Sequence, residues 1–275
     1  MGRVAFLANV HSNATALEAV LRHIIREKTA ESIFFAGNLI GWGPDTDACL
    51  SLLRAAYQRK SIIAGVHEQY ALRPPNHETD AHIQSIAQWN KNKLSVDDYF
   101  LLEALPKEQH LNVGRWTVHV AYNEWDDYPL GGVNPRDGRI VAATVLHHIP
   151  KGEIVVAGCA ATPAVYTLET GERMSELKLG EPVKDDGLYK PKVSYPLTSD
   201  QSFLIGVGSV GQTRIIGEDR ASYVVLDPDK GKVYLHFVDY DHMKTMGRIG
   251  QMDIKRETRT WMQTMLTKDK PESLH

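Results

Sequence analysis

A chain of 275 residues, 43% hydrophobic and 24% charged, can bury the core of one large domain or two small ones, which excludes a largely disordered protein. Its 31 lysines and arginines against 34 aspartates and glutamates leave a formal charge of −3, which excludes a long-range positive field for nucleic acid or anionic lipid. The opening MGRVAFLANVHSN turns polar too early for a secretory signal, and no later run approaches the ~18 apolar residues of a membrane span, so a cytoplasmic protein with no membrane partner is expected.

Short apolar runs alternate with amphipathic ones through the first two-thirds of the chain, the pattern of an α/β layer fold. Residues 3–8 read as a buried strand. Asn13 then caps a helix in which Leu17, Val20, Leu21, Ile24 and Ile25 recur at helical spacing. Residues 32–36 form a second strand. Asp45 and Asp47 stand at the positive end of a helix reaching about residue 57, and 61–64 is a third strand. Pro74 and Pro75 break the pattern, and two polar-faced helices are expected over 80–94 and 96–104, the second capped by Ser95 and stopped by Pro106. From residue 110 onward β structure dominates. A strand over 115–121, a helix over 139–148 ending in His147 and His148, and strands over 153–157 and 165–168 are expected. Residues 171–201, rich in Gly, Pro and Lys, read as one hairpin strand plus a surface loop rather than a mobile flap. A strand over 203–207 precedes a hairpin, 222–226 with 232–238, turning at Asp227-Pro228-Asp229-Lys230-Gly231. In the tail, Ile254, Trp261, Met262, Met265 and Leu266 share one helical stripe, assigned to core packing.

In open α/β sheets ligands sit beyond the carboxyl ends of the strands, so the residues there carry the functional expectation. Those ends are Asn9-Val10-His11-Ser12-Asn13, Gly37-Asn38, Gly65-Val66-His67-Glu68, the fourth strand with its internal His119 followed by Tyr122 and Asn123, and Gly158-Cys159-Ala160-Ala161. A shared pocket is expected, with Trp42 on its rim. Cys49 and Cys159 lack any C-x-x-C spacing, so neither a disulfide framework nor a zinc knuckle is read from them.

The order and spacing of these segments resemble the calcineurin-like metallophosphoesterases, in particular their small bacterial and archaeal phosphodiesterases, whose motifs run D-x-H, G-D, G-N-H-[DE], a lone His and G-H-x-H. Gly41-Trp42-Gly43-Pro44, Gly208-Ser209-Val210-Gly211-Gln212 and the closing Tyr240-Asp241 reinforce the likeness, which covers about residues 3–241. It implies a four-layer α/β/β/α sandwich over 1–241; the helical stripe of the tail adds a C-terminal helical extension over 242–275. It also implies two divalent metals on the motif side chains, with the third-motif histidine assisting the leaving group. Here Asn9 and Asn38 replace the two carboxylates, Val66 replaces the asparagine, and Cys159 and Ala161 replace the last two histidines. His11, His119 and the acid His67 remain.

Two divalent ions ~3.5–4 Å apart repel by on the order of 20 kcal/mol at an effective dielectric near 20, and a bridging carboxylate is what offsets this. A neutral Asn38 cannot do so, and Val66 offers no donor. The expectation is therefore a pseudoenzyme or repurposed pocket with no dimetal centre and no resident cofactor. It would bind a small ligand, phosphorylated or not, or a partner, through Asn9, His11, Asn13, Asn38, Trp42, His119, Tyr122, Asn123 and Cys159. Backbone amides at Ser12-Asn13, helped by Arg214 or Arg136, offer an anion site, with plain helix capping as the alternative. Two catalytic alternatives stay open. One is a single zinc on His11, His119 and Cys159. The other is metal-free catalysis with His67 or Glu68 as base and Tyr122, Asn123 or Glu124 orienting the substrate. The sequence sets no oligomeric state.

Overall fold

Side chains alternate along each strand, and that period divides the apolar residues between two faces of two sheets. In the structure, a computed structural model, residues 2–75, 80–122, 146–160, 162–168, 193–213 and 218–267 are described, with the backbone of short strands at 124–125, 128–129, 174–177, 184–185 and 188–189. The first sheet runs, edge to edge, Val193–Pro196, Lys232–Val238, Ala221–Asp227, Val4–Leu7, Ser32–Ala36, Ile62–Ile63. Its last three strands are parallel, linked through α1 (Ala14–Glu27) and α2 (Thr46–Gln58), and the rest are antiparallel. The second sheet runs Met174–Leu177, Ala164–Leu168, Phe203–Gly206, Glu153–Ala157, Trp116–Ala121, Glu108–Val113.

Phe6, Phe34, Val118, Val120, Ile154, Ile205 and Val224 meet between the sheets, forming the inner core. The opposite face of the first sheet, Ala5, Leu7, Tyr223 and Val225, takes the apolar stripe of α1 and α2. The opposite face of the second sheet takes Leu146 and Ile149. Helix, sheet, sheet, helix is thus the order of layers, the α/β/β/α sandwich that the sequence implies. Each CH₂ withdrawn from water contributes roughly 0.8 kcal/mol, so the three apolar layers carry the stability.

Asn13, Asp80 and Ser95 cap their helices through side-chain oxygens, and α4 (Ala81–Lys93) and α5 (Val96–Glu103) stand where the caps place them. Four regions depart from expectation. α3 (Val66–Leu72) follows the third strand directly, and an additional strand, Glu108–Val113, pairs with Trp116–Ala121. Residues 171–201 hold more than one hairpin strand: Met174–Leu177 extends the second sheet, and Val193–Pro196 forms the edge of the first, where Pro196 is tolerated. The tail forms two helices, α6 (His242–Gly250) and α7 (Arg256–Thr264); their Ile249 and Met262, with Leu266 just beyond α7, pack on Trp42 and Ile86. Of the helix expected over 139–148, only the turn at 146–148 falls within the described residues. No described helix is long and apolar enough to cross a membrane.

Candidate functional site

The loops leaving the first two strands are bent into left-handed backbone at four residues that are not glycine: Asn9, His11, Ser12 and Asn38, with φ of 53°, 51°, 56° and 53°. For L-residues this costs roughly 1–2 kcal/mol each, less for Asn, and strain of this kind concentrates where a fold shapes a site. Backbone bonds lock the loops to one another: Asn9 N to Gly37 O at 3.2 Å, His11 N to Asn38 O at 2.9 Å, and Ser12 N to Leu39 O at 3.0 Å. Glu68, 1% exposed, then clamps the second and third loops. Its carboxylate accepts from the backbone N–H of Asn38 (2.9 Å), Ile40 (3.0 Å) and Gly65 (2.7 Å). Burial pushes the Glu68 carboxyl above its ordinary range, and the three N–H groups pull the other way without cancelling it.

At the centre, two amides and a phenol form a closed network. Asn9 Nδ2 donates to Gly158 O at 2.8 Å and Gly208 O at 3.1 Å. Carbonyl oxygens only accept, so this end of the amide must be the nitrogen. Asn9 Oδ1 then faces the sheet edge and accepts from Tyr122 Oη and from Asn38 Nδ2, both at 3.2 Å. Asn38 Oδ1 accepts the His67 N–H at 3.0 Å, which fixes the second amide, and its Nδ2 also donates to the Tyr122 hydroxyl. Asn9, Asn38 and Tyr122 are all buried. The backbone closes around them. A side chain at Gly65 would collide with Asn38, and one at Gly37, whose φ is +93°, would collide with the Tyr122 ring.

His11 and His67 are brought together, ring centroids 5.0 Å apart, and Trp42 lies 5.1 Å from His67. Asn13 sits beside them at the start of α1. His119 does not join this group. Val118 and Val120 point into the inner core, so the period of two sends His119 to the outer face of the second sheet. There its Nε2 lies 2.6 Å from Glu153 Oε2 and its ring contacts His110. A zinc on His11, His119 and Cys159 is therefore not assembled. Among the described residues no group of three or more His, Cys, Asp or Glu is placed to hold a metal. Cys159 is part-buried against the apolar cores and Val66 packs on the inner core. The side chains of Asn123, Glu124, Arg136, Ala161 and Arg214 lie outside the described residues. The centre does not fit a dimetal site: both Asn9 Oδ1 lone pairs are taken, its nitrogen is fixed by carbonyls, and among the described residues no carboxylate stands between the two loops' amides.

The anion site expected at the start of α1 already holds a carboxylate. Asp45 Oδ2 accepts the Ala14 N–H at 3.1 Å, while Asn13 Oδ1 accepts that of Ala16 at 3.1 Å. Asp45, though it begins α2, makes no side-chain cap there. Arg248 of α6 pairs with it, and Thr245 Oγ1 donates to Asn13 Oδ1 at 3.0 Å. Burial pushes the Asp45 carboxyl up against the pull of Arg248 and Ala14. Sequence reasoning missed these C-terminal partners. The tail's apolar stripe announced packing, but nothing in the sequence marked Thr245 or Arg248 as partners of Asn13 and Asp45.

A family model described as calcineurin-like phosphoesterase matches residues 2–162. The uncharacterized protein MJ0912 of Methanocaldococcus jannaschii is 24% identical over 264 residues, covering 94% of this chain and 95% of that one. A crystal structure of a metallophosphoesterase from Sphaerobacter thermophilus superposes with a TM-score of 0.69 at 22% identity, over 97% of this chain and 99% of that one. The hypothetical protein PH1004 of Pyrococcus horikoshii OT3 gives 0.69 at 17% identity, over 98% and 100%. At these identities the two structures speak for the fold.

Proposed function

The chain belongs to the calcineurin-like phosphoesterase family, and from that premise we propose that it is a non-hydrolysing member whose pocket binds a small ligand, phosphorylated or not, or a partner. One observation carries this reading: the hydrogen-bonded polarity of the Asn9 amide, nitrogen toward Gly158 O and Gly208 O and oxygen toward Tyr122 and Asn38. A metal-binding carboxylate at position 9 would set oxygen against two carbonyl oxygens, so the surrounding backbone itself is built for an amide. In this reading Tyr122 takes the place that the family resemblance gave to His119, because its hydroxyl reaches both amides. Glu68, with its carboxylate engaged by three backbone amides, is a clamp rather than a base. Without two metals, water is not acidified toward neutral pH and an in-line attack on phosphorus lacks its nucleophile.

The test is calorimetric titration of the purified protein with Mn²⁺ and Zn²⁺, alongside hydrolysis of bis(4-nitrophenyl) phosphate. The expected result is no stoichiometric binding tighter than about 1 mM and no manganese-dependent turnover. Micromolar binding of two Mn²⁺ that Asn38→Ala abolishes, accompanied by hydrolysis, would overturn the reading.

A further inference from the structure

Beneath α6 and α7 lies a crevice of about 10 Å³, room for one water, lined among others by Asn13, Trp42, Gln212, Ile249 and Met262. Gln212, one of the residues that line it, is 3% exposed, and its side-chain oxygen is buried with no hydrogen-bond partner. Buried acceptors are nearly always satisfied, because leaving one unpaired forfeits its hydration, so an orphan facing a crevice points to a missing donor. Against the same crevice Trp42 meets the indole of Trp261 from α7, ring centroids 4.6 Å apart, and Trp261 in turn stacks on His82 at 5.5 Å. The chain's own ring thus covers the aromatic wall beside the orphan acceptor.

We propose that this crevice is the closed form of a ligand site: α7 is a displaceable cap, and the ligand is a flat, uncharged heteroaromatic ring bearing an N–H, which stacks on Trp42 in place of Trp261 and donates to Gln212 Oε1. The ring is uncharged because no carboxylate is among the described residues that line the crevice. The moving part is α7 rather than α6. α6 is tied to the site by Thr245 to Asn13 and by Arg248 to Asp45. α7 is tied to the rest of the molecule by two neutral bonds, Gln263 Nε2 to Met246 O at 2.8 Å and Thr258 Oγ1 with His82 Nδ1 at 3.0 Å, while its Arg259 guanidinium donates only to Met252 O and Ile254 O of the segment that joins it to α6. Its remaining hold is apolar, with Met252 and Met262 in the contact, side chains flexible enough to repack around a different ring. A minor open state made dominant by a ligand is how such covered sites fill. The proposal rests on the ligand-binding reading above, yet the two fail separately, since ring binding and manganese binding are independent measurements.

The experiment uses the full chain with indole and with benzofuran, a ring of the same shape without the N–H, each at about 1 mM, the affinity range of fragments this small. Hydrogen–deuterium exchange should show indole lowering protection across 256–264 severalfold while α1 is unchanged. Indole should bind at least about tenfold more tightly than benzofuran, and Gln212→Leu should erase that difference. Trp261→Ala, by removing the competing ring, should tighten indole binding about tenfold. If that variant fails to fold, the exchange of the unaltered chain decides. Unchanged exchange over 256–264, equal binding of the two rings, or an ordered water on Gln212 with no ring binding would each overturn the proposal.

Discussion

Asn9 shows what a single atom exchange controls. Its nitrogen lies 2.8 Å from Gly158 O and 3.1 Å from Gly208 O, so one side chain ties the loop after the first strand to two strand ends of the other half of the molecule. Asn9→Asp changes little in shape but turns two hydrogen bonds into two oxygen–oxygen repulsions in a buried place. The expected cost is about 3–5 kcal/mol, the range for an unpaired buried charge. Such a carboxyl would have a raised pKa in the folded protein, so the folded state would hold a proton that the unfolded chain has released, and the deficit would grow as pH rises. Urea unfolding at pH 5 and pH 7 checks both points: a loss under ~1 kcal/mol at pH 7, or one that does not shrink at pH 5, contradicts the network as drawn.

At the scale of elements, α5 is held by a reciprocal cap. Ser95 Oγ accepts the Asp98 N–H at 3.2 Å and donates to Asp98 Oδ2 at 2.6 Å, and Asp98 Oδ2 accepts the Ser95 N–H at 3.0 Å. Arg54 of α2 then pairs with Asp98 at 2.5 Å, which couples the two helices. Burial alone would raise the Asp98 carboxyl, but the Ser95 hydroxyl and amide and the Arg54 guanidinium outweigh it and hold it below the usual range. Ser95→Ala is expected to cost about 1 kcal/mol at neutral pH, read as a lower urea midpoint with unchanged slope. Because the folded carboxyl is the more acidic, this contribution is present above the unfolded pKa and fades as pH falls through the folded one. A Ser95→Ala loss that persists undiminished at pH 2 would sink the account. Caps of this kind are written in local sequence, which is why Asn13 and Ser95 and their helices were readable. α3 was not, because seven residues with His67, Glu68 and Gln69 give too little periodicity, and its place depends on Glu68 reaching back to Gly65. Glu108–Val113 is a largely half-buried edge strand that buries only Val113 fully, so its sequence shows little apolar alternation. For the site, the strand-end rule brought Asn9, His11, Asn38, His67 and Tyr122 together. It failed for His119, whose parity with Val118 and Val120 already assigned it to the outer face.

Across the whole molecule, the layers must be joined as well as stacked, and Tyr223 joins the first sheet to α1. The residue is 0% exposed, its hydroxyl lies 2.9 Å from His23 Nδ1 and 3.0 Å from Thr29 Oγ1, and its ring stacks on His236 at 4.8 Å. Burial pushes this phenol up to about 12 and pushes the His23 imidazole below its ordinary value. The two shifts bound a pH window from opposite sides. Between pH 10 and about 12 the unfolded tyrosine has lost its proton while the folded one keeps it, so stability is level below pH 10 and declines from there. Two pKa units correspond to on the order of 2–3 kcal/mol over that span. On the acid side, His23 is held neutral in the fold, so stability present above about pH 6.5 is lost as pH falls toward its folded pKa. Tyr223→Phe keeps the stacking and removes the ionisation, so its urea stability should decline less than that of the unaltered chain between pH 10 and 12. The two curves should differ by a near-constant amount below pH 10, the value of the lost hydrogen bonds, about 1 kcal/mol. Parallel curves through pH 12 would mean that the phenol ionises as it does in water, and curves that also coincide below pH 10 would mean that α1 is joined to the sheet by its apolar stripe alone.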